Sequence, residues 1–396
     1  MIDSVTIRTT DFVTYSDEFF TKEQFKVLKG EFGVFGLYRT RYTGYPQHCK
    51  TKGRYFPQVQ ILERSKNTSR GMAVVDRKLV VQVSLPKLVF GSSIFDLDER
   101  FLPIAAKILS DNLAEIKVGV TPEAILNATV TRVDYSKVIQ ISPSFGTTDR
   151  FLRALLPYDL KQSSDFNRRD YHDGKDGFYI KFWNTSQGLV LYDKFDEIVT
   201  NGKTKLEQEI ARQYKAGKWT KGALRIELSL QKKQTVDSVL RQFSGTKQKD
   251  YSLRDVARTD IAKACILRAF ENVYIKGFNP LVRLSGLKDT ELVRVIEEHA
   301  SDFRDQAVLY YLTHRVRDRG LKATVEGLKR QASPATVGRY KRAVEAVLGS
   351  LEAKKDVVNP VSYLHRKLLA FRPVLPKKLD AMFGIDDSLA SSQREE

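Results

Sequence analysis

The sequence predicts an α+β fold, a sheet-bearing first half followed by a mainly helical second half. Three observations lead there. Short runs rich in Val, Ile, Leu, Tyr and Phe, flanked by Gly, Asn, Asp or Ser, recur up to Leu230. From Thr235 to Gly349 the apolar residues fall at helical spacing, with no alternation of period two. The chain of 396 residues is 42% hydrophobic and 29% charged, enough to bury a core and unlike a disordered composition.

In chain order, strands are expected at Val34–Tyr42, Lys78–Leu85, Ala128–Tyr135, Phe178–Phe182, Leu189–Lys194 and Ala223–Leu230. Among them lie three helices. Phe101–Ile116 carries apolar residues at helical spacing, and Thr121–Leu126 has Pro122 at the first helical position. An amphipathic stretch between Thr147 and Leu160 has Asp149 as a plausible cap. The change of texture sets a domain boundary at Gln234. Residues 1–234 form one unit, 235–385 a helical accessory unit, and 386–396 a frayed tail.

Composition narrows the function. The formal charge is +18, which favours a polyanionic partner because Lys and Arg displace counterions from a phosphate backbone. Cys49 and Cys265 are too few for a disulfide framework or a Cys-rich zinc site. The longest apolar runs, such as Ala307–Leu312, fall far short of the roughly 18–20 residues of a membrane helix. Met1 to Thr10 lacks a basic start and an apolar core, so no signal peptide is expected and the protein reads as cytoplasmic.

Three strands carry polar residues two apart, and side chains two apart share a face. The pairs are Arg132 with Asp134, and Tyr192 with Lys194; Arg225, Glu227 and Ser229 make a third set. In the last strand Leu224, Ile226, Leu228 and Leu230 line the other face. A sheet of these strands buries one side and presents Asp, Glu, Tyr, Lys and Arg on the other. Structural ion pairs, worth about 0.2–1 kcal/mol each, explain the same pattern equally well.

At these segments the sequence resembles the replication initiators of filamentous phages, the gene II/gene X family of rolling-circle endonucleases. The matching pieces come in family order. They are Val83-Ser84-Leu85-Pro86-Lys87 running on to Phe90-Gly91, Thr131-Arg132-Val133-Asp134, Leu189-Val190-Leu191-Tyr192-Asp193-Lys194 and Leu224-Arg225-Ile226-Glu227. A fainter echo runs from Thr336 to Arg342. The resemblance implies a central antiparallel sheet bearing a metal-dependent nicking and joining site of the wider HUH type. Tyr192 looks like the nucleophile, Lys194 like the accompanying basic group, and Asp134 and Glu227 like the acidic residues near Mg²⁺ or Mn²⁺. The product would be a 5′-phosphotyrosyl strand with a free 3′-hydroxyl, used by a host helicase and polymerase. The His-hydrophobe-His metal pair of the wider group is absent, since His48, His172, His299, His314 and His365 are well separated. His172, in a polar loop, or Gln82, sharing a face with Ser84, is the further metal ligand proposed. Lys87, Arg132 and Arg225 are the DNA contacts expected beside the site.

The chemistry suits these residue types. Phosphodiester attack needs an in-line oxygen nucleophile and stabilised phosphoryl oxygens. Tyrosine stores the bond energy in a covalent intermediate, but with a pKa of about 10 it needs help losing its proton. Carboxylates suit a hard divalent ion that polarises the scissile phosphate.

Ala323–Leu348 reads helix, turn, helix, with Ser333 as cap and Pro334 at the first helical position. Thr336, Arg339 and Arg342 fall near one face of the second helix, as in a reader of origin duplex; an ordinary hairpin with a solvated basic face fits equally. The basic stretches Lys161–Arg169 and Lys203–Lys221 read as backbone contacts or solvated surface. His314-Arg315-Val316-Arg317 with Tyr340 or Tyr363 offers fragments of a tyrosine recombinase, yet leaves the strand motifs unexplained. The rival from another class is a non-catalytic, origin-binding replication regulator.

Overall fold

The structure is a computed structural model. It describes residues 1–30, 33–42, 55–68, 71–142, 145–155, 166, 168–174, 177–219, 221–245, 250–275, 289–319, 321–353 and 360–376. The expected tail, residues 386–396, and most of Lys161–Arg169 lie outside them.

Among the described residues twelve strands are formed: β1 (Ile2–Thr9), β2 (Val13–Thr14), β3 (Lys22–Gly30), β4 (Gly33–Tyr42), β5 (Gln58–Thr68), β6 (Gly71–Ser84), β7 (Val118–Gly119), β8 (Thr129–Gln140), β9 (Arg168–Gly174), β10 (Gly177–Trp183), β11 (Gln187–Asp193) and β12 (Ala223–Leu230). Ten make one sheet in the order β3-β4-β5-β6-β1-β8-β12-β11-β10-β9, and every pairing is antiparallel. β2 and β7 form a separate small pair. The α+β class and the antiparallel sheet are as expected.

Period-two alternation separates the faces of the sheet's centre. One face carries Val5, Ile7, Val81, Val83, Val133, Leu189, Leu191, Ile226 and Leu228, all buried. Burying each such side chain contributes about 1.5–3 kcal/mol. In the same core lie apolar residues of helices Lys233–Phe243, Thr259–Tyr274 and Pro360–Ala370. Tyr135 donates its hydroxyl to the Val256 carbonyl at 3.0 Å, and Tyr363 donates to that of Gln140 at 2.6 Å.

Those contacts redraw the expected boundary. The helices just after Gln234 belong to the sheet's core, as does Pro360–Ala370. A second core is confined to Leu292–Val347, in helices Asp289–His299, Phe303–Arg319, Leu321–Lys329 and Pro334–Ala353. Texture marks where strands stop, but a helix with a continuous apolar stripe packs on whichever apolar surface lies nearest.

A third, smaller core roofs one end of the polar sheet face. Helices Lys194–Asn201 and Lys205–Lys215 bring Phe195, Ile198 and Ile210 onto Val138 and Ala223, with Ile94, Phe95 and Trp219. The roof begins directly after β11 because Asp193 caps the Lys194–Asn201 helix, accepting from the Phe195 and Asp196 amides at 2.8 and 3.3 Å.

Candidate active site

Cross-strand register lays the polar face out in rows, because directly paired residues point the same way. The row nearest the roof runs Tyr179, Tyr192, Arg225 and Val138 across β10, β11, β12 and β8. The next runs Asp170, Lys181, Val190, Glu227 and Ser136. The third runs Arg168, Trp183, Gly188, Ser229 and Asp134, and continues to Ser4 and Ser84. Asp134 and Glu227 are therefore diagonal neighbours on adjacent strands, with Cα atoms about 7–8 Å apart.

Tyr192 donates its hydroxyl to Glu227 Oε2 at 3.2 Å. Burial pushes this phenol well above its ordinary pKa, Glu227 adds to the rise, and the Arg225 charge opposes it. Burial likewise drives the Glu227 carboxyl up to about 7, opposed by Arg225 and reinforced by Asp3 and Asp134. Asp134 is also raised by burial against the pull of Arg132, whose Nη2 lies 3.2 Å from Asp134 Oδ2. Ionised carboxylates this close, in so dry a place, are unfavourable without more positive charge.

Arg225 is not placed as a DNA contact. Only 1% exposed, its guanidinium lies 2.7 Å from Asp3 Oδ2 and 3.4 Å from Glu227 Oε2, and donates to the Ser93 carbonyl. It organises carboxylates from beneath the surface. Lys87 is similarly engaged, 3.1 Å from Oε1 of the fully buried Glu207. Arg132, with a side chain 40% exposed, is open to a partner.

Lys194 does not alternate with Tyr192 along a strand, because β11 ends at Asp193 and Lys194 opens the next helix. Its buried ammonium donates to Ser93 Oγ at 2.8 Å and Glu197 Oε2 at 2.5 Å, and lies 5.9 Å from the centre of the Tyr192 ring. Burial and the Arg225 charge hold its pKa below the ordinary lysine range.

Two contributors escaped the sequence reading. Asp3 sits at a bulge in β1, where the register shifts between Ile2 and Ser4. The extra residue turns Asp3 onto the polar face, where it meets Arg225. Burial works against its charge, yet Arg225 and Lys194 hold its pKa below the usual carboxylate value. Ser93 is the second: its carbonyl accepts from Arg225, its hydroxyl accepts from Lys194, and its amide and hydroxyl both donate to Glu207 Oε1. Alternation broken by a bulge, and a serine in a loop, leave no pattern to read.

The proposed extra ligands fare differently. His172 lies on β9, not in a loop, and its side chain lies outside the described part of the molecule. Gln82 is exposed on β6, paired with Thr6 of β1 and so two strands from Asp134. Among the described residues, no group of three or more His, Cys, Asp and Glu side chains is arranged to hold a metal ion. The donor set fits a weaker demand. Mg²⁺ is commonly held by one or two carboxylates, with water and substrate phosphate oxygens completing its shell, and Asp134 with Glu227 supplies two.

In the second core, Ser333 Oγ accepts from the Thr336 amide at 3.3 Å at the start of the Pro334–Ala353 helix. Arg339 and Arg342 are exposed there, Arg339 lying over the Tyr340 ring at 4.7 Å. Tyr340 belongs to this core and Tyr363 to the sheet's, so the recombinase fragments do not assemble around both.

Residues 58–271 match the Phage CRI family, described as the N-terminal region of the replication-associated gene II protein. The chain belongs to that family. The match spans more than half of the sequence and contains Lys87, Asp134, Tyr192, Lys194 and Glu227. It stops short of the Leu292–Val347 core and leaves out β1 with Asp3. Membership makes this a phage replication-associated protein of the gene II-like initiator type. No curated protein and no solved structure matches the chain. Among the described residues, no helix is long and apolar enough to cross a membrane.

Proposed function

We propose that this initiator nicks and rejoins DNA at a replication origin through Tyr192. The observation that carries the reading is the Tyr192 hydroxyl held 3.2 Å from Glu227 Oε2, in the row beside Arg225 and on the face that bears Asp134. Tyr192 gives its proton to the Glu227 carboxylate as its oxygen bonds to phosphorus. The bond from phosphorus to the 3′ oxygen breaks, and that oxygen takes a proton from solvent water to leave as a free 3′-hydroxyl. Arg225 stabilises the phenolate, being the charge that already opposes the rise in the Tyr192 pKa. Arg132, at the exposed rim, meets the neighbouring backbone. Asp134 and Glu227 would hold Mg²⁺ or Mn²⁺, which supplies Lewis-acid polarisation of the phosphate when bound. Host helicase and polymerase would then use the exposed 3′ end.

The test is incubation with supercoiled origin plasmid and Mg²⁺. Nicked circles with protein attached to a 5′ end are expected, and Tyr192→Phe should bind DNA without attaching to it. Attachment that persists in this variant removes Tyr192 from the role. The competing reading, a non-catalytic origin-binding regulator, draws on the Arg132–Asp134 and Arg225–Glu227 ion pairs, which stabilise the sheet whether or not chemistry occurs. Nicking that survives both Asp134→Ala and Glu227→Ala favours it.

A further inference from the structure

Two cations lie near the sheet's edge, apart from the Tyr192–Glu227 pair. Arg168 on β9 and Lys181 on β10 both lie over the indole of Trp183, at 4.7 and 5.5 Å from the ring centre. Register sets Arg168 directly opposite Trp183, and Lys181 precedes Trp183 by two on the same face of β10. Among the described residues, neither cation has a carboxylate within ion-pair distance, in a molecule where the cations beneath the roof are nearly all matched. A cation held against an aromatic face keeps its position without a counter-charge and leaves its outer side free.

The rows place this stack relative to the chemistry. Lys181 shares the row of Glu227, two strands away, and Trp183 shares the row of Asp134, three strands away. At about 4.8 Å per strand this is roughly 10–14 Å from the two carboxylates. Between them lie Val190 and Gly188, which carry no charge. In the opposite direction β9 is the edge strand of the sheet among the described residues.

We propose that Arg168, Trp183 and Lys181 form a track for single-stranded DNA leading away from the scissile phosphate, with the two cations on successive phosphates and the Trp183–Tyr179 side as the surface for unstacked bases. Unpaired cations interleaved with aromatic rings on a sheet face match the backbone and the bases of one strand. Tyr192 is half-buried on the sheet floor, where only a strand drawn out of the duplex reaches it. This inference rests on the nicking site proposed above for its direction, but not for its test.

The test uses the full-length protein and a labelled single-stranded oligonucleotide, with the same sequence as duplex in parallel. Replacing both cations, Arg168→Ala with Lys181→Ala, should weaken single-strand binding tenfold or more. It should also flatten the dependence of log K on log salt by about 1.4, or 0.7 for each phosphate no longer neutralised. Of the two tryptophans, Trp219 is buried in the roof, so quenching of fluorescence by the oligonucleotide should vanish in Trp183→Phe. Unchanged affinity and salt slope in the double variant, or quenching that survives in Trp183→Phe, overturns the proposal. So does an equal loss for duplex. Tyr192→Phe should bind the oligonucleotide normally; if that variant still attaches to DNA, the nucleophile is lost while the track stands.

Discussion

The sheet body and the Leu292–Val347 bundle handle charge in opposite ways. Beneath the roof, Arg225, Lys194 and Lys137 are 1–3% exposed, and each is matched to carboxylates: Arg225 to Asp3, Lys194 to Glu197 and Lys137 to Asp96. In the bundle Leu292, Val295, Ile296, Leu309 and Val347 make an aliphatic core, and Arg339 and Arg342 stay outside in water. Buried ions require partners at fixed positions because leaving one unpaired costs several kcal/mol. Exposed ions carry little structural energy and are free to meet a phosphate. One region fixes its charged groups in place; the other leaves them in water.

Three variants can break that contrast. Arg225→Ala should do the most damage, about 3–5 kcal/mol in urea unfolding, because it strands the buried Asp3 carboxylate beside Glu227. A loss below 1 kcal/mol would mean water or cations reach that pocket freely. Next comes Asp193, whose pKa is pushed up to about 6 by burial and by Asp196, although Thr148 and the amides of Phe195 and Asp196 pull it down. Since the folded value exceeds the unfolded one, the wild type is favoured at low pH and loses stability as pH rises from about 4 through 6. Asp193→Asn keeps a capping oxygen and has no such loss. It should gain about 2–3 kcal/mol on the wild type between pH 4 and 7, measured by paired thermal melts; parallel curves would place Asp193 in water. The smallest structural effect belongs to Arg339→Ala with Arg342→Ala, under about 0.5 kcal/mol for such exposed charges. The same pair should lower affinity for origin duplex and reduce its salt slope by roughly 0.9 per phosphate released. Binding unchanged at low salt would leave the bundle's basic face merely solvated.

Much of this was legible in the chain. Ala223–Leu230 could be read almost residue by residue, because Arg225, Glu227 and Ser229 alternate strictly with Leu224, Ile226 and Leu228. Ser333 followed by Pro334 marked a helix start that the structure keeps. Less visible were β1, β3, β5 and β9. Polar residues in β1, such as Ser4 and Thr6, pair with polar-face positions of β8 and break up its apolar run, yet it lies between β6 and β8 at the centre. The texture change at Gln234 announced helices without saying which core they join.

Alternation and composition suffice to put Asp134, Tyr192 and Glu227 on one side of a sheet, because side-chain direction along a strand is a local property of the backbone. The bulge that turns Asp3 toward Arg225 and the seating of Lys194 against Ser93 depend on contacts between residues a hundred or more positions apart, and the central strand order on pairings nearly as distant. Such contacts form only once the apolar faces have packed, and no stretch of sequence encodes a neighbour it meets only there.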